Sequence, residues 1–354
     1  MEYPPGALAA FLPPAAFGSA HYNAAFKALM ALCGLATLVL LAWLLVRLGA
    51  STRRLSAAVL LFALSPIAVG PISLNTYDAW PALLTVAALA LFVAGRSTAA
   101  FALLGVAFAA KVYPVVLLPP ALIFAWRMGG RALALRGLAV FVGVASLCIV
   151  PFLAVAPHGL VESFRAQAAR SLQVESFGGS LLAAADRLGV YDATVVHRTG
   201  HAISYDLVGS LPETLAVLSS IAQVVAVLGV AWLYARGPSS DPRRLAFALA
   251  AAIAGFLAFT RFFSPQYLVW LIPFVLLLDV PVWVVTAGAL VLAQVWFFHY
   301  SDVFALGGYI WLVLLRDLLV LAVFVLAVLE LHRRAAKDED PVFLEHELPL
   351  RVPS

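Results

Sequence analysis

The chain has 354 residues, 64% of them hydrophobic and only 11% charged, with a formal net charge of +4 and a mean hydropathy of +1.01. Soluble domains run nearer half apolar and a quarter charged, so this composition excludes a water-soluble globular enzyme. The basic excess is nearly all arginine and is scattered over short inter-helix loops, which orients membrane helices and does not make a nucleic-acid surface.

Residues 1–19, with Tyr3-Pro4-Pro5 and Pro13-Pro14, read as the end of an external loop. No apolar helix, charged n-region or cleavage site precedes them. An outside start therefore predicts a further crossing encoded upstream of Met1; the alternative is a chain with a natural outside N-terminus. Candidate helices follow at 22–46, 55–69, 78–94, 98–110, 114–126, 132–153, 212–235, 243–262, 266–278, 280–298 and 307–332. Their runs are continuously apolar, not alternating, which predicts helices rather than a barrel. The pieces around 111–114 and 264–266 are short. A helix of about 13 residues spans only about 20 Å, which calls for local thinning or a re-entrant hairpin.

The arginines test that count. With the N-terminus outside, inside loops hold Arg47, Arg53 and Arg54; Arg96; Arg127, Arg131 and Arg136; Arg236, Arg243 and Arg244; and Arg333, Arg334 and Lys337. The short outside connections hold Lys111 and Arg261. Fusing 98–126 into one crossing would put Arg96 and Arg127 on opposite sides, so about eleven crossings satisfy the positive-inside rule. The fold class expected is all-α: one polytopic membrane domain over residues 1–336. An external loop at about 154–213 carries amphipathic patterning at 160–172 and 181–188, as interfacial helices do. Residues 337–354 read as a disordered cytoplasmic tail. The Arg-, Ala-, Val- and Leu-rich composition points to a GC-rich bacterial genome and a multi-pass plasma-membrane protein. Cys33 and Cys148 lie inside apolar runs with no ligand partners nearby, and no 20–50-residue repeat is present.

Ionisable groups at membrane depth are costly and mark function. They gather on the external side: Glu2 and Tyr3; His21; Asn75, Tyr77 and Asp78; Lys111 and Tyr113; Arg165 and Arg170; Glu175; Arg261, Gln266 and Tyr267; His299 and Asp302. Acids, bases and aromatics on one face suit a reaction chamber. Each has a plainer account. Asp78 opens a helix and would cap it. Lys111 would snorkel to the interface, although Pro114 behind it breaks the helix, as happens where helices line cavities. Arg261, beside a second proline break, suits a phosphate or pyrophosphate, or else an ion pair with a neighbouring helix. Glu175 serves equally as a surface acid or a ligand. His21 and His299 read as interfacial, and Arg316 with Asp317 as an ion pair in the last helix.

Several segments together carry a resemblance. They are Glu2-Tyr3-Pro4-Pro5-Gly6; Asn75-Thr76-Tyr77-Asp78-Ala79-Trp80-Pro81; Ala110-Lys111-Val112-Tyr113-Pro114; Leu172-Gln173-Val174-Glu175-Ser176; and Ser264-Pro265-Gln266-Tyr267 through Trp270 and Pro273. In their order and spacing they resemble glycosyltransferase family 87, of the GT-C class of polyprenol-phosphate-sugar-dependent enzymes, over nearly the whole chain. The resemblance implies transfer of a hexose or pentose, mannose or arabinose first, from a polyprenyl-phosphate donor to a lipid- or glycan-linked acceptor in the cell envelope. A carboxylate would act as general base, and cations would hold the lipid phosphate. It implies substrate-binding roles for Tyr3, Asn75, Tyr77, Lys111, Tyr113, Glu175, Arg261, Gln266 and Tyr267. The base of such enzymes is an Asp in the first external loop, which this sequence does not contain; Glu2 and Asp78 are the acids nearest that role. No cofactor or protein metal ligand is expected, and a divalent metal stays open. Two other readings remain: a transporter or lipid flippase, which would place polar residues along a path to both faces, and an inactive homologue lacking the Asp.

Overall fold

The computed structural model describes residues 3–168, 170–198, 204–237 and 240–338. Glu2 and residues 339–354 of the expected tail lie outside the described residues. The architecture is all-α and polytopic, as the apolar runs predict. Six helical stretches are long and apolar enough to cross a membrane, and the shorter apolar helices Ala79–Val93, Ser97–Ala110 and Pro265–Val275 join them.

In chain order the helices are α1 (Leu8–Ala15), α2 (Tyr22–Arg47), α3 (Thr52–Val69), α4 (Ile72–Asn75), α5 (Ala79–Val93), α6 (Ser97–Ala110), α7 (Leu118–Val155), α8 (Pro157–Ala168), α9 (Phe177–Arg187), α10 (Ser210–Arg236), α11 (Pro242–Ala258), α12 (Leu268–Val275), α13 (Val280–Phe297), α14 (Tyr300–Phe304) and α15 (Ile310–Asp338). Stretches of α11, such as 245–254, are buried throughout. It is the helix of Ala and Gly that its neighbours can approach closely on every side.

α7 is two helices. Gly129 (φ −149°, ψ 23°) and Gly130 (φ 69°, ψ −169°) leave helical geometry, and a positive φ at Gly130 costs little only because glycine has no Cβ. Packing gives the directions. Phe92 meets both Phe101 and Phe124 edge-on, at 5.2 and 5.8 Å between centroids, so the end of α5, the start of α6 and residue 124 share one level. Gly137 sits against Phe101, and Gly105 against Phe141 and Ala145, so α6 and the second half of α7 run parallel. The first half must then return between them. That is the arrangement the spacing of Arg96, Arg127 and Arg131 called for.

One end of the bundle is rich in arginine. Arg54 donates to the carbonyls of Leu277 and Leu278 at 2.9 and 2.6 Å, and Arg127 to those of Tyr234 and Ala235 at 2.8 and 2.6 Å. Arg243 lies against Gly49. The opposite end carries the segment between α7 and α10. There α8 takes in 160–168 of the first amphipathic stretch, whose last residue, Leu172, lies in a strand, and α9 takes in 181–187 of the second. The sequence reading did not anticipate a small antiparallel sheet, in the order β1 (Leu172–Gln173), β3 (Ser204–Val208), β2 (Thr194–Arg198). Leu172 pairs with Leu207 and Gln173 with Asp206. Leu172, Val174 and Leu207 then face a second core with Trp296, Val303, Ile310 and Val313.

Candidate functional site

Two broken helices set up the site at the end opposite the arginines. Pro114 has no N–H to donate back to the Ala110 carbonyl, so α6 stops and Lys111 adopts an extended conformation (φ −157°, ψ 145°). The Tyr77 hydroxyl supplies the missing donor, reaching the Ala110 oxygen at 3.3 Å. Pro265 likewise opens a 3-10 turn, Pro265–Tyr267, that leads into α12. It leaves Tyr267 and Trp270 stacked, with ring centroids 4.4 Å apart.

The Lys111 ammonium stands at the centre. Its Nζ donates to Asp78 Oδ1 at 2.5 Å and lies 4.7 Å from the Tyr77 ring, 4.7 Å from Trp270, 5.1 Å from Tyr267 and 5.9 Å from Tyr3. Rings at such distances stabilise a cation through their negative faces, more strongly where water is excluded. Asp78 is 2% exposed, and its Oδ1 also accepts from Trp270 Nε1 at 2.7 Å. Tyr113 stacks on the other face of Trp270, with centroids 4.1 Å apart. Its hydroxyl pairs with Thr85 Oγ1 at 3.1 Å and donates to the Pro81 carbonyl at 3.2 Å. The N-terminal segment brings Tyr3 to the cage because Gly6 lies against the Ala109–Ala110 backbone, too close for any side chain.

Neither plain account of the two ions fits. Asp78 makes no side-chain cap to α5, and the Lys111 side chain is 13% exposed, held inward and not snorkelling. An isolated charge this deep is prohibitive, and each ion offsets the other's desolvation.

The other candidates are distributed around this core. Arg170 hydrogen-bonds the Tyr267 hydroxyl, and its guanidinium lies 4.8 Å from the Phe262 ring. The Arg261 carbonyl accepts from the Gln173 amide at 2.9 Å. Arg261 also borders a groove along α10 with Val217, Ser220, Ile221 and Val224. Asn75 is exposed at the end of α4, and Gln266 is half-buried in the turn before α12. Glu175 is 8% exposed, within electrostatic reach of Tyr267 and of the Arg316–Asp317 pair. Burial pushes its pKa up to about 8 against the pull of Arg316, with Asp317 adding to the rise. Trp270 was legible only as part of a motif. Its position three residues after Tyr267 puts both on one face of the turn. Among the described residues no three His, Cys, Asp or Glu side chains gather as a metal ligand set.

An apolar cavity of about 380 Å³ lies beside the cage, between α2, α3, α5 and α12. Leu38, Phe62, Pro66 and Val69 are among its walls, and it reaches Ala79 and Val269, the chain neighbours of Asp78 and Trp270.

A family model described as glycosyltransferase family 87 matches residues 2–265. No curated protein matches the chain.

Proposed function

The chain belongs to glycosyltransferase family 87, and on that premise we propose that this membrane glycosyltransferase is a GT-C-type enzyme using a polyprenyl-phosphate sugar. It moves a hexose or pentose, mannose or arabinose first, to a lipid- or glycan-linked acceptor at the outer face of a bacterial plasma membrane. The observation that supports this donor is the caged ammonium of Lys111 next to an apolar groove. A polyprenyl chain lying in that groove brings its phosphate to the end lined by Ala79 and Val269, beside Lys111 among the rings of Tyr77, Tyr267 and Trp270. The positive-inside rule puts the arginine-rich end and the C-terminus in the cytoplasm and the site outside.

In the transfer, an acceptor hydroxyl attacks the anomeric carbon, the bond to the lipid phosphate breaks, and the sugar inverts. Negative charge develops on the departing phosphate. Lys111 is placed to stabilise it, exchanging Asp78 for the phosphate as its partner, and the surrounding rings keep water out. A carboxylate must take the acceptor's proton. Asp78, one oxygen of which holds both Lys111 and Trp270, serves in this proposal as the partner of the cation. Arg261, at the rim of the α10 groove, is positioned for the phosphate of a lipid-linked acceptor approaching from that side.

The test uses the full chain in lipid nanodiscs, offered labelled polyprenyl-phosphate mannose, polyprenyl-phosphate arabinose and nucleotide sugars. Transfer from a lipid-phosphate sugar alone is expected, with Arg261→Ala about tenfold slower per folded molecule, equal to about 1.4 kcal/mol, and Arg261→Lys partly restored. Transfer from nucleotide sugars in place of the lipid donors overturns the reading.

A further inference from the structure

Beyond Tyr267 lies a second group of buried polar side chains that holding a lipid phosphate does not use, built between the external segment and the last helix. Arg316 and Asp317, consecutive in α15, are 0% and 3% exposed and 2.8 Å apart. Arg316 Nη2 donates to the Glu175 carbonyl at 2.7 Å, and its guanidinium lies 4.1 Å from the Phe263 ring. Asp317 accepts from Ser180 Oγ, in α9, at 2.7 Å. Two neighbouring residues of one helix thus hold the turn that carries Glu175 and the first turn of α9 behind it.

That turn is closed from within. The Ser176 amide and hydroxyl both donate to the Gln173 carbonyl, at 3.0 and 2.7 Å, and Gly179 packs on the same carbonyl so tightly that a Cβ has no room. On this frame, hydrogen-bonding capacity is left unused. Gln173 Oε1 and Arg316 Nη1 are buried and without a partner among the described residues. Buried polar atoms of this kind are rare in native structures and ask for a ligand or another explanation. Glu175, two residues from Gln173 and within electrostatic reach of Arg316, has a raised pKa that leaves its carboxyl largely protonated at neutral pH, able to donate as well as accept. An amide oxygen, a guanidinium N–H and a neutral carboxyl together match neighbouring hydroxyls, each of which is both donor and acceptor. Tyr267 joins the two groups: its ring is 5.1 Å from the Lys111 ammonium and its hydroxyl is within electrostatic reach of Glu175.

The geometry points to a sugar-reading wall, in which Gln173, Glu175 and Arg316 Nη1 receive hydroxyls of the transferred ring while Asp317 and the other arm of Arg316 act as positioning groups for Glu175. This inference rests on the lipid-phosphate reading of Lys111. Polar walls of this type discriminate strongly, because an analogue lacking a hydroxyl leaves a buried group unpaired.

The experiment measures binding to the full chain in nanodiscs, with bare polyprenyl phosphate and its mannosyl and arabinosyl esters as probes. The wild type is expected to bind at least one sugar ester ten times more tightly than the bare lipid phosphate. Glu175→Ala and Arg316→Gln keep the affinity for bare lipid and lose that preference. Arg316→Lys, which keeps one donor for the Glu175 carbonyl, recovers part of it. Hydrogen exchange over 172–180 rises in Arg316→Gln and Asp317→Asn and stays at the wild-type level in Glu175→Ala. Should Arg316→Gln fail to fold, Glu175→Ala and Gln173→Ala carry the test, since both leave the α15 pair intact. A wild type with no preference for either ester, or a tenfold preference that survives in Glu175→Ala, overturns the sugar wall while sparing the phosphate site. A wild type that binds no bare polyprenyl phosphate overturns the phosphate reading and this inference with it.

Discussion

At the arginine-rich end of the bundle the cations answer helix-end backbone, together with rings and a part-exposed acid: Arg54 also reaches Asp279 at 3.5 Å and lies over Trp283, and Arg127 and Arg244 lie over Tyr234. Arg54 takes the carbonyls of Leu277 and Leu278, Arg127 those of Tyr234 and Ala235, and Arg244 that of Leu233. The carbonyls of Leu233, Tyr234 and Ala235 belong to the last turn of α10, where an ending helix leaves its acceptors unsatisfied and its dipole negative, and those of Leu277 and Leu278 lie in the turn just after α12. At the other end both partners of each ion pair are withdrawn from water: Lys111 with Asp78 among Tyr3, Tyr77, Tyr267 and Trp270, and Arg316 with Asp317 over Phe263. The first arrangement completes helices that had to end somewhere. The second is more than folding requires, because a buried ion pair can often be exchanged for apolar side chains with no loss of stability. Charge spent on closing helices belongs to the fold, and charge buried against its own counter-ion is what the proposed chemistry draws on.

The sharpest way to break that distinction is Lys111. Lys111→Met leaves Asp78 buried and uncompensated, and is expected to cost about 3–5 kcal/mol of stability and about 10²–10³ in turnover per folded molecule. Adding Asp78→Asn is expected to restore the thermal midpoint in detergent and none of the turnover. A double variant that regains activity would make the pair as structural as the arginine caps.

Next is the pH dependence at Glu175. Its carboxyl titrates near 8 in the folded chain and near 4.5 unfolded, so the folded state holds the extra proton between those values. Stability is therefore highest at and below about pH 4.5 as far as this group is concerned. It declines as pH rises toward 8 by at most about 1.4 kcal/mol per unit, and is level above that. Glu175→Gln removes this slope, which thermal midpoints measured from pH 5 to 9 will read. An unchanged slope in Glu175→Gln assigns the pH dependence to other groups.

A smaller effect is expected from Trp270→Phe, which keeps the stacking on Tyr113 and Tyr267 and removes the N–H that Asp78 accepts. Hydrogen bonds to charged groups contribute about 1.5–3 kcal/mol, and turnover is expected to fall no more than about tenfold. The smallest is Arg127→Ala at the opposite end. Loss of a cation from a helix C-terminus costs about 0.3–1 kcal/mol, and turnover per folded molecule is expected to stay at the wild-type level. A hundredfold loss there would erase the contrast between the two ends.

The membrane-spanning plan was legible in the sequence. Whether an apolar run crosses a membrane depends on a transfer free energy summed along that run, and its orientation on the arginines at its ends, so both are one-dimensional properties. The break inside α7 follows from Arg127 and Arg131 needing to share a side with Arg96, and Gly129 and Gly130 supply it. The amphipathic patterns of α8 and α9 were visible for the same reason. The sheet was not: β1 has two residues, and its pairing with β3 depends on a strand more than thirty positions away. Side-chain destinations at the site were not legible either. Asp78 reads locally as a cap, and its actual partners, Lys111 and Trp270, lie 33 and 192 positions along the chain. Arg261 reads as a second cation of the same external face, yet it borders a groove along α10. Arg316 and Asp317 read as a local pair, and only the tertiary structure shows that they hold the turn carrying Glu175. Depth in the bilayer is decided segment by segment; the direction a side chain faces at that depth is decided by how each helix is rotated against its neighbours, which is a property of packing alone.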